Sequence, residues 1–247
     1  MPEHGLCNHS IVALRKEASD KSELISQILY GECFKILNYQ NKWSFVSLHY
    51  DGYEGWVDNK QFHKIEEKYF KKVSTENEIL STNLVDYLSD ENKNLQPIVL
   101  GSVLNSLNYL KHKFDKSQIS ISKKNIIRTA LLYLNTPYLW GGKTPFGIDC
   151  SGFTQMVYRL NGIKIKRDAF QQANQGKFLN IFNDIKPGNL AFFSNKEGKI
   201  SHVGILINNN SIIHAHGKVR VDKFDENGIY NSKLENYSHK LKFIKSF

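Results

Sequence analysis

Cys150 is a candidate nucleophile because of the residues that surround it. Asp149 is a residue type that caps helix amino termini, so Cys150 would lie in the first turn of a helix that begins at Asp149 or Cys150. The free N–H groups and the dipole of a first turn favour an anion, and the thiolate is the reactive form of cysteine. Ser151 and Gly152 are small or polar, unlike the neighbours of a core cysteine. The sequence therefore predicts a reactive thiol with a lowered pKa.

Three histidines could supply the base that a thiol needs to cleave an amide. His202, His214 and His216 lie in two β-prone runs on either side of residues 208–210. If 208–210 is a three-residue turn, His202 falls opposite His216 and diagonal to His214, and all three share one face. A two-residue turn would place His214 and His216 on the other face. A zinc site formed by these histidines and Cys150 is the rival interpretation.

The carboxy-terminal half reads as helices followed by strands. A first helix is predicted from Ser122 as its cap, with apolar residues at helical spacing, and Pro137 ends it. A second helix follows the loop 138–148 and stops at Gly162. Strands are then predicted at 189–194, 202–207, 211–216 and 241–244. This order is typical of an α+β fold.

The amino-terminal half begins with the pattern of a small all-β barrel. Between residues 10 and 65, turn signals separate β-prone runs at 11–14, 25–30, 34–37, 43–48 and 55–57. The run 43–48 alternates with the strand period, which predicts one buried face. We interpret 66–118 as a connector with a degenerate second subdomain, and a pair of linker helices is the alternative. The run 97–104 within it is β-like. The predicted domains are thus 1–65, 66–118 and 119–247.

Composition and charge narrow the class of protein. The chain has 247 residues, 40% of them hydrophobic, which excludes a collagen-like or wholly disordered chain. The net charge of +9 is spread along the chain, mostly as lysine, so we expect no nucleic-acid partner. No run approaches the roughly 20 apolar residues of a membrane span. The amino terminus lacks a signal pattern and the three cysteines are widely spaced, so we expect a cytoplasmic protein.

These residues give the second half of the chain a specific resemblance. It resembles the NlpC/P60 family of cell-wall cysteine peptidases in residue types, order and gaps. The segments that carry the likeness are Pro-Tyr-Leu-Trp-Gly-Gly at 137–142, Asp-Cys-Ser-Gly-Phe at 149–153, Ser-His-Val-Gly-Ile at 201–205 and Ile-His-Ala at 213–215. The resemblance implies a papain-like fold. It also implies that Cys150 is the nucleophile, His202 the general base and acid, and His214 the polar third member that orients His202.

The first half resembles the bacterial SH3-like (SH3b) domain. The likeness lies in the Gly31-Glu32 turn, in Trp43 at the start of a strand, and in the segment Gly-Tyr-Glu-Gly-Trp-Val at 52–57. Together with the run 167–172, it points to the γ-D-glutamyl-L-diamino acid endopeptidases that carry an SH3b domain. This resemblance implies that Asp168 binds the free α-amino group of L-Ala in a murein peptide. A loop ion pair between Arg167 and Asp168 is the alternative.

The same resemblance implies further contacts to the substrate. The residues are Tyr138, Asp149, Ser151, Tyr53 and Glu17. Tyr138 is expected near the cysteine, where its hydroxyl can donate to the developing oxyanion, and Ser151 lines the same site. Tyr53 and Glu17 would come from the SH3b region, with Glu23 as the rival to Glu17.

The implied function is that of a monomeric cysteine endopeptidase without metal or cofactor. It would hydrolyse the bond between γ-D-Glu and the L-diamino acid in free murein peptides whose N-terminal L-Ala is unblocked, as in cell-wall peptide recycling. The alternatives are an exported peptidoglycan hydrolase and a non-catalytic SH3b-type wall-binding protein.

Overall fold

The chain divides into two units, residues 1–122 and 123–247. The computed structural model describes residues 3–115, 125–179, 182–232 and 235–247. No helix among these described residues is long and apolar enough to cross a membrane. The domain boundaries predicted at 65/66 and 118/119 stay predictions.

The first unit is built on a seven-stranded antiparallel sheet. Its strands are β1 (Glu3–Leu6), β2 (Ile11–Arg15), β3 (Leu24–Leu29), β4 (Cys33–Gln40), β5 (Trp43–Leu48), β6 (Glu54–Asp58) and β7 (His63–Ile65). They are ordered β3-β2-β6-β5-β4-β1-β7. The five predicted strands are confirmed as β2 to β6, and the sequence pattern missed the short strands β1 and β7.

Strand β5 shows why the alternation was informative. Its buried positions are Ser44, Val46 and Leu48, while Trp43 and Phe45 are half-buried on the other face. The prediction of one buried face is therefore confirmed, although that face carries a serine. The Ser44 hydroxyl donates a 2.6 Å hydrogen bond to Asn59 Oδ1, which satisfies it inside the sheet.

Residues 66–115 contain one helix and one hairpin. The helix α1 spans Glu67–Thr75, and strands β8 (Val85–Ser89) and β9 (Leu95–Val99) pair antiparallel. The β-like run 97–104 ends as a strand at Val99 because the chain turns at Leu100-Gly101, where Gly101 has a φ of 86°. These residues do not form a pair of linker helices, and the degenerate second subdomain stays a prediction.

The described residues of the second unit include three α-helices and the strands β10 to β18. The helices are α2 (Ile126–Leu131), α3 (Cys150–Leu160) and α4 (Ala169–Gln172). The strands are β10 (Lys143–Thr144), β11 (Gly147–Ile148), β12 (Lys177–Phe178), β13 (Leu190–Ser194), β14 (Ile200–Asn208), β15 (Ser211–His216), β16 (Lys218–Asp225), β17 (Gly228–Asn231) and β18 (Asn236–Ser246). The four predicted strands are confirmed as β13, β14, β15 and β18, so the α+β class is confirmed.

The main sheet of this unit closes on itself. Its order is β12-β18-β13-β14-β15-β16-β17, and the long strand β18 also pairs with β17. One face of β13 to β18 encloses an apolar cluster that includes Phe193, Leu206 and Phe224. Because the sheet closes, side chains on this inner face lie between strands that are far apart in sequence.

The two long helical predictions differ in accuracy. Helix α3 begins at Cys150 after the cap Asp149 and ends at Leu160, close to the predicted stop at Gly162. Helix α2 is shorter than predicted: it begins at Ile126, because the Asn125 side chain accepts a hydrogen bond from the Arg128 N–H, and it ends at Leu131. The predicted cap Ser122 lies outside the described residues.

Candidate active site

Asp149 fixes the start of the helix that carries Cys150. Its Oδ1 accepts a 2.6 Å hydrogen bond from the Gly152 N–H, and its Oδ2 accepts a 2.8 Å bond from the Gly141 N–H. The carboxylate therefore joins the first turn of α3 to the Gly-Gly loop. The predicted capping role of Asp149 is confirmed, while direct contact between Asp149 and substrate stays a prediction.

Arg167 completes this frame from another part of the chain. Its Nη1 and Nη2 donate to the two oxygens of Asp149 at 2.9 and 2.7 Å, and Nη1 also donates to Ser151 Oγ at 3.0 Å. The Arg167 side chain is 1% exposed. A bidentate guanidinium is the geometry that compensates a buried carboxylate best. Thus both Nη atoms of Arg167 bind Asp149, eighteen residues away, a pairing that the sequence did not predict.

Two glycines of the predicted motifs are required by close approach. A Cβ at Gly152 would lie 2.3 Å from the Gly142 carbonyl oxygen, and a Cβ at Gly204 would lie 2.9 Å from the His214 Cβ. The first glycine lets α3 meet the Gly-Gly loop. Gly204 lets its own strand, which also carries His202, approach the strand that carries His214.

The register of the β14–β15 hairpin brings the histidines to one face. Asn208 pairs with Ser211, so the turn has two residues, but a bulge at Ile207 restores the pairing of Leu206 with Ile212. That pairing is the register predicted for a three-residue turn. His202, His214 and His216 therefore share the inner face, as predicted, although the loop length that led to the prediction was wrong.

His202 and His214 form a direct hydrogen bond. The distance from His202 Nε2 to His214 Nδ1 is 2.8 Å, and both side chains are buried. Burial, and then the neighbouring imidazoles, lower the pKa of His202 well below its ordinary value. His202 is thus neutral at rest and able to accept a proton, while exposed His216 lies outside this hydrogen bond.

Cys150 lies beside the strand of His202, and its resting state differs from the prediction. The backbone N–H of Val203, the residue after His202, acts on the Cys150 sulfur and lowers the pKa of the thiol. Burial raises the pKa of Cys150 to about 12, and the backbone N–H groups of Val203 and Ser151 offset only part of this rise. The expected lowering at a helix start is therefore reversed, because a thiol that is 7% exposed loses the hydration of its anion. The resting thiol needs a base.

His239 is a histidine of this cluster that the sequence analysis missed. It lies on β18, and its ring stacks on that of His202 with centroids 4.1 Å apart and planes 26° apart. The pairing of β18 with both β13 and β17 brings it to this place, so no local pattern could have revealed it. The Ser238 hydroxyl oxygen lies 2.9 Å from His239 Nδ1.

The histidine cluster also bears on the zinc interpretation. Nitrogen atoms of His202, His214 and His239 lie within 4.8 Å of one another, so this is the described group that could hold a metal. Imidazole lone pairs lie in the ring plane, and a metal needs them to converge at about 2.0–2.1 Å. Because the His202 and His239 rings are stacked, their lone pairs run side by side. Metal binding would require one ring to rotate.

The buried imidazoles predict that acid destabilises this unit. Burial, and then His214 and His216, lower the pKa of His239 to about 3, whereas in the unfolded chain it titrates near 6.5. Below pH 6.5 the unfolded state binds more protons, so the free energy of unfolding falls as the pH falls. At pH 5 the full pKa shift of His239 would lower the free energy of unfolding by ~2 kcal/mol, and we expect about half of this loss after solvent screening.

We therefore expect the melting temperature to fall less between pH 7.5 and 5 in His239→Gln than in the wild type. A difference of about 2–4 °C corresponds to ~1 kcal/mol. Scanning calorimetry at both pH values measures it. His9→Gln, at an exposed histidine of the first unit, is the matched control and should follow the wild type. Equal acid sensitivity of His239→Gln and wild type would contradict the argument.

Asp168 lies at the start of α4, which is fastened to α3. The Gln172 Nε2 donates to the Ser151 carbonyl oxygen at 3.0 Å, and the Thr154 hydroxyl donates to Gln172 Oε1 at 2.7 Å. Asp168 itself is half-buried and directly follows Arg167, whose guanidinium binds Asp149. Its position is therefore tied to the Cys150 helix by two independent sets of contacts.

Tyr138 is held close to the nucleophile by its backbone. Its N–H donates to the Gly217 carbonyl oxygen at 3.0 Å, and it forms a bridge with Ile148, two residues before Cys150. Burial, and then the proximity of Cys150 and Asp149, raise the pKa of Tyr138 above its ordinary value. The phenol thus keeps its proton and can donate a hydrogen bond.

The two residues predicted from the SH3b region lie within the first unit. Tyr53 is half-buried, packs against the core of that sheet, and donates its N–H to Asp51 Oδ1 at 2.9 Å. Glu17 is exposed, whereas its rival Glu23 forms an ion pair with Lys16 at 3.1 Å. Contact of Tyr53 or Glu17 with a substrate stays a prediction.

Comparison with known proteins gives this geometry its context. The NlpC/P60 family matches residues 135–237, and the bacterial dipeptidyl-peptidase Sh3 domain matches residues 14–62. Dipeptidyl-peptidase 6 of Lysinibacillus sphaericus is 30% identical over 241 residues, with 83% of this chain and 86% of that protein covered. This chain belongs to the NlpC/P60 family. It is a cysteine peptidase with an amino-terminal SH3b domain, as the sequence analysis predicted.

Two further comparisons cover most of the chain. Gamma-D-glutamyl-L-lysine dipeptidyl-peptidase of Bacillus subtilis (strain 168) is 29% identical over 238 residues, with 85% of this chain and 74% of that protein covered. The crystal structure of an NlpC/P60 family protein from Bacillus cereus has a TM-score of 0.80 at 19% identity and covers 99% of both chains. The second likeness supports the fold alone.

Proposed function

We propose that this NlpC/P60 peptidase hydrolyses the bond between γ-D-Glu and the L-diamino acid in free murein peptides whose N-terminal L-Ala is unblocked. Similarity to a Gamma-D-glutamyl-L-lysine dipeptidyl-peptidase over 85% of this chain supports this substrate class. The observation that carries the proposal is the hydrogen bond between His202 and His214. Val203, the residue after His202, acts on the Cys150 sulfur through its backbone N–H. Asp168, on an element fastened to α3, supplies the specificity.

The chemistry follows from the proton positions. His202 Nδ1 accepts the thiol proton as Cys150 Sγ attacks the γ-carbonyl carbon, and the Tyr138 hydroxyl donates to the oxyanion. The protonated His202 then gives its proton to the departing α-amino group of the diamino acid. Water, activated by His202, hydrolyses the thioester and releases L-Ala-γ-D-Glu. Neutral thiol and neutral imidazole at rest suit this order, since the transfer occurs during attack.

Asp168 explains why a dipeptide is released. A carboxylate that pairs with the free α-ammonium of L-Ala fixes the amino end of the peptide at a set distance from Cys150. The bond two residues along then lies at the sulfur. Peptides still attached to glycan carry an amide in place of that ammonium, so they leave the aspartate without its partner. A role in recycling of released wall peptides, and a cytoplasmic location, belong to the same proposal.

The test is a cleavage assay with synthetic peptides. L-Ala-γ-D-Glu-L-Lys and L-Ala-γ-D-Glu-diaminopimelate are incubated with the protein and the products identified by mass spectrometry. We expect L-Ala-γ-D-Glu together with the free diamino acid, and no cleavage of intact peptidoglycan. Cleavage of intact peptidoglycan would favour an exported hydrolase, and cleavage of neither material would favour a wall-binding protein.

Changing the charge of Asp168 tests the specificity directly. Truncating one member of a desolvated charge pair typically costs about 2–5 kcal/mol, so Asp168→Asn should lower kcat/KM on the free peptide by roughly 30-fold or more. The same change should hardly alter the slow cleavage of the N-acetylated peptide. Asp184→Asn, at another aspartate of this unit, is the control variant. If the wild type cleaves free and acetylated peptides equally well, the amino-group pocket is absent.

A further inference from the structure

The His202–His214 pair continues into a carboxylate that has no place in the three-residue site. Asp222 on β16 lies across from Ile212 of β15, and its Oδ2 is 2.9 Å from His214 Nε2. Its side chain is 10% exposed. Arg220 on the same strand holds both carboxylate oxygens, with Nε 2.7 Å from Oδ2 and Nη2 2.7 Å from Oδ1. The carboxylate orientation is therefore fixed from behind.

This arrangement determines where the imidazole protons lie. A carboxylate can only accept, so His214 Nε2 must carry a proton. A neutral imidazole has one N–H, and the remaining His214 nitrogen, Nδ1, is then an acceptor. The hydrogen bond between the rings must therefore run from His202 Nε2–H to His214 Nδ1. His202 Nδ1 is left with a lone pair, which is the state that a base for the Cys150 thiol requires.

The charge states of Asp222 and His214 support this assignment of the imidazole protons. Burial raises the pKa of Asp222, but hydrogen bonds from His214 and Arg220 more than offset it, so the carboxylate is ionised. Burial, opposed by the Asp222 hydrogen bond, lowers the pKa of His214 below its ordinary value. An ionised acceptor beside a neutral imidazole selects one tautomer.

We propose that Asp222 is a positioning residue of the peptidase, which fixes the tautomer of His214 and, through His214, the tautomer of His202. The inference rests on the proposed roles of His202 and His214. Without the carboxylate, His202 can carry its proton on Nδ1, where it cannot accept one from the thiol. Arg220 serves the same end by binding both oxygens of the carboxylate.

The kinetic test replaces Asp222 by asparagine, which keeps the shape and removes the charge. Replacing the aspartate bonded directly to the base of a serine protease lowers kcat about 10⁴-fold, and removing an outer partner of a metal-ligating histidine costs about 10- to 100-fold. We expect kcat to fall about 10- to 100-fold with KM nearly unchanged. Asp225→Asn is the matched control, because Asp225 lies on the same strand but accepts from Tyr237 at 2.5 Å. It should keep the wild-type kcat.

A double-mutant cycle separates positioning from a structural role. If Asp222 acts through His214, Asp222→Asn should cause no further loss of kcat in a His214→Ala background. An equal further loss in both backgrounds would overturn the proposal. A wild type that cleaves none of the peptides above would instead refute the proposed function.

A measurement on the wild-type protein covers the case in which Asp222→Asn does not fold. NMR spectra of protein labelled with ¹⁵N-histidine show which nitrogen of each ring is protonated, and they require no activity. We expect Nε2–H on both His202 and His214. Nδ1–H on either ring would overturn the proposal whatever the outcome of the cleavage assay.

Discussion

Replacing Cys150 by alanine is expected to abolish peptide cleavage. Without the thiol no covalent acyl-enzyme can form, and the remaining groups can only bind the substrate. Cys150→Ser should also be inactive, because the site is arranged for a sulfur nucleophile with a neutral imidazole base. Release of L-Ala-γ-D-Glu, measured by liquid chromatography with both variants and the wild type, gives the result.

The controls for this prediction come from the other cysteines. Cys7 and Cys33 are buried in the first unit and, like Cys150, are thiols rather than halves of a disulfide. Cys7→Ala and Cys33→Ala should retain nearly all activity, and chelators should have no effect. Residual activity of Cys150→Ala near the wild-type level, or loss of wild-type activity on chelation, would refute the thiol mechanism and favour the zinc interpretation.

Replacing Arg167 by methionine is expected to have the largest effect on stability. Breaking a buried ion pair by removing one partner typically costs about 3–5 kcal/mol, because the other charge stays buried. Here the buried charge left without its guanidinium partner would be Asp149, which also caps α3 and accepts a hydrogen bond from the Gly141 N–H. We expect a fall in melting temperature of roughly 6–20 °C, and a lower kcat in the protein that remains folded.

Two further arginine variants make this prediction specific. Arg167→Lys keeps the charge but cannot reproduce the two parallel bonds to Asp149, so its melting temperature should lie between those of wild type and Arg167→Met. Arg128→Met, at an exposed arginine of α2, should melt like the wild type. If Arg167→Met melts within about 2 °C of the wild type, the pair contributes less than ~1 kcal/mol and does not hold the site together.

Local sequence patterns predicted the elements whose stability is local. Helix α3 has its cap in the preceding residue, and the strands β2 to β6 are β-prone runs separated by turn signals, so both could be predicted without knowledge of the fold. Strand β1 (Glu3–Leu6) could not, because it is defined by pairing with both β4 and β7 rather than by β-prone residues. The same holds for β7.

The residues of the candidate site also fall into those that local sequence patterns predict and those that they do not. Cys150, His202 and His214 lie in recognisable motifs, and the hairpin places the two histidines on one face through a bulge that no loop-length rule predicts. Asp222 could have been suspected, since Arg220 and Asp222 alternate with valines in a strand and so share one face. His239 and the Arg167–Asp149 pair could not, because they depend on contacts between distant segments.

The central claim is that Cys150 attacks a peptide held by its free N-terminal L-Ala. An L-Ala-γ-D-Glu acyloxymethyl ketone tests it most directly, because the thiol displaces the carboxylate leaving group and forms a stable thioether. We predict one equivalent of label on Cys150, located by mass spectrometry of the digested protein, and little labelling by the N-acetylated reagent. Labelling of another residue, or no labelling of a protein that cleaves the free peptide, would contradict the account.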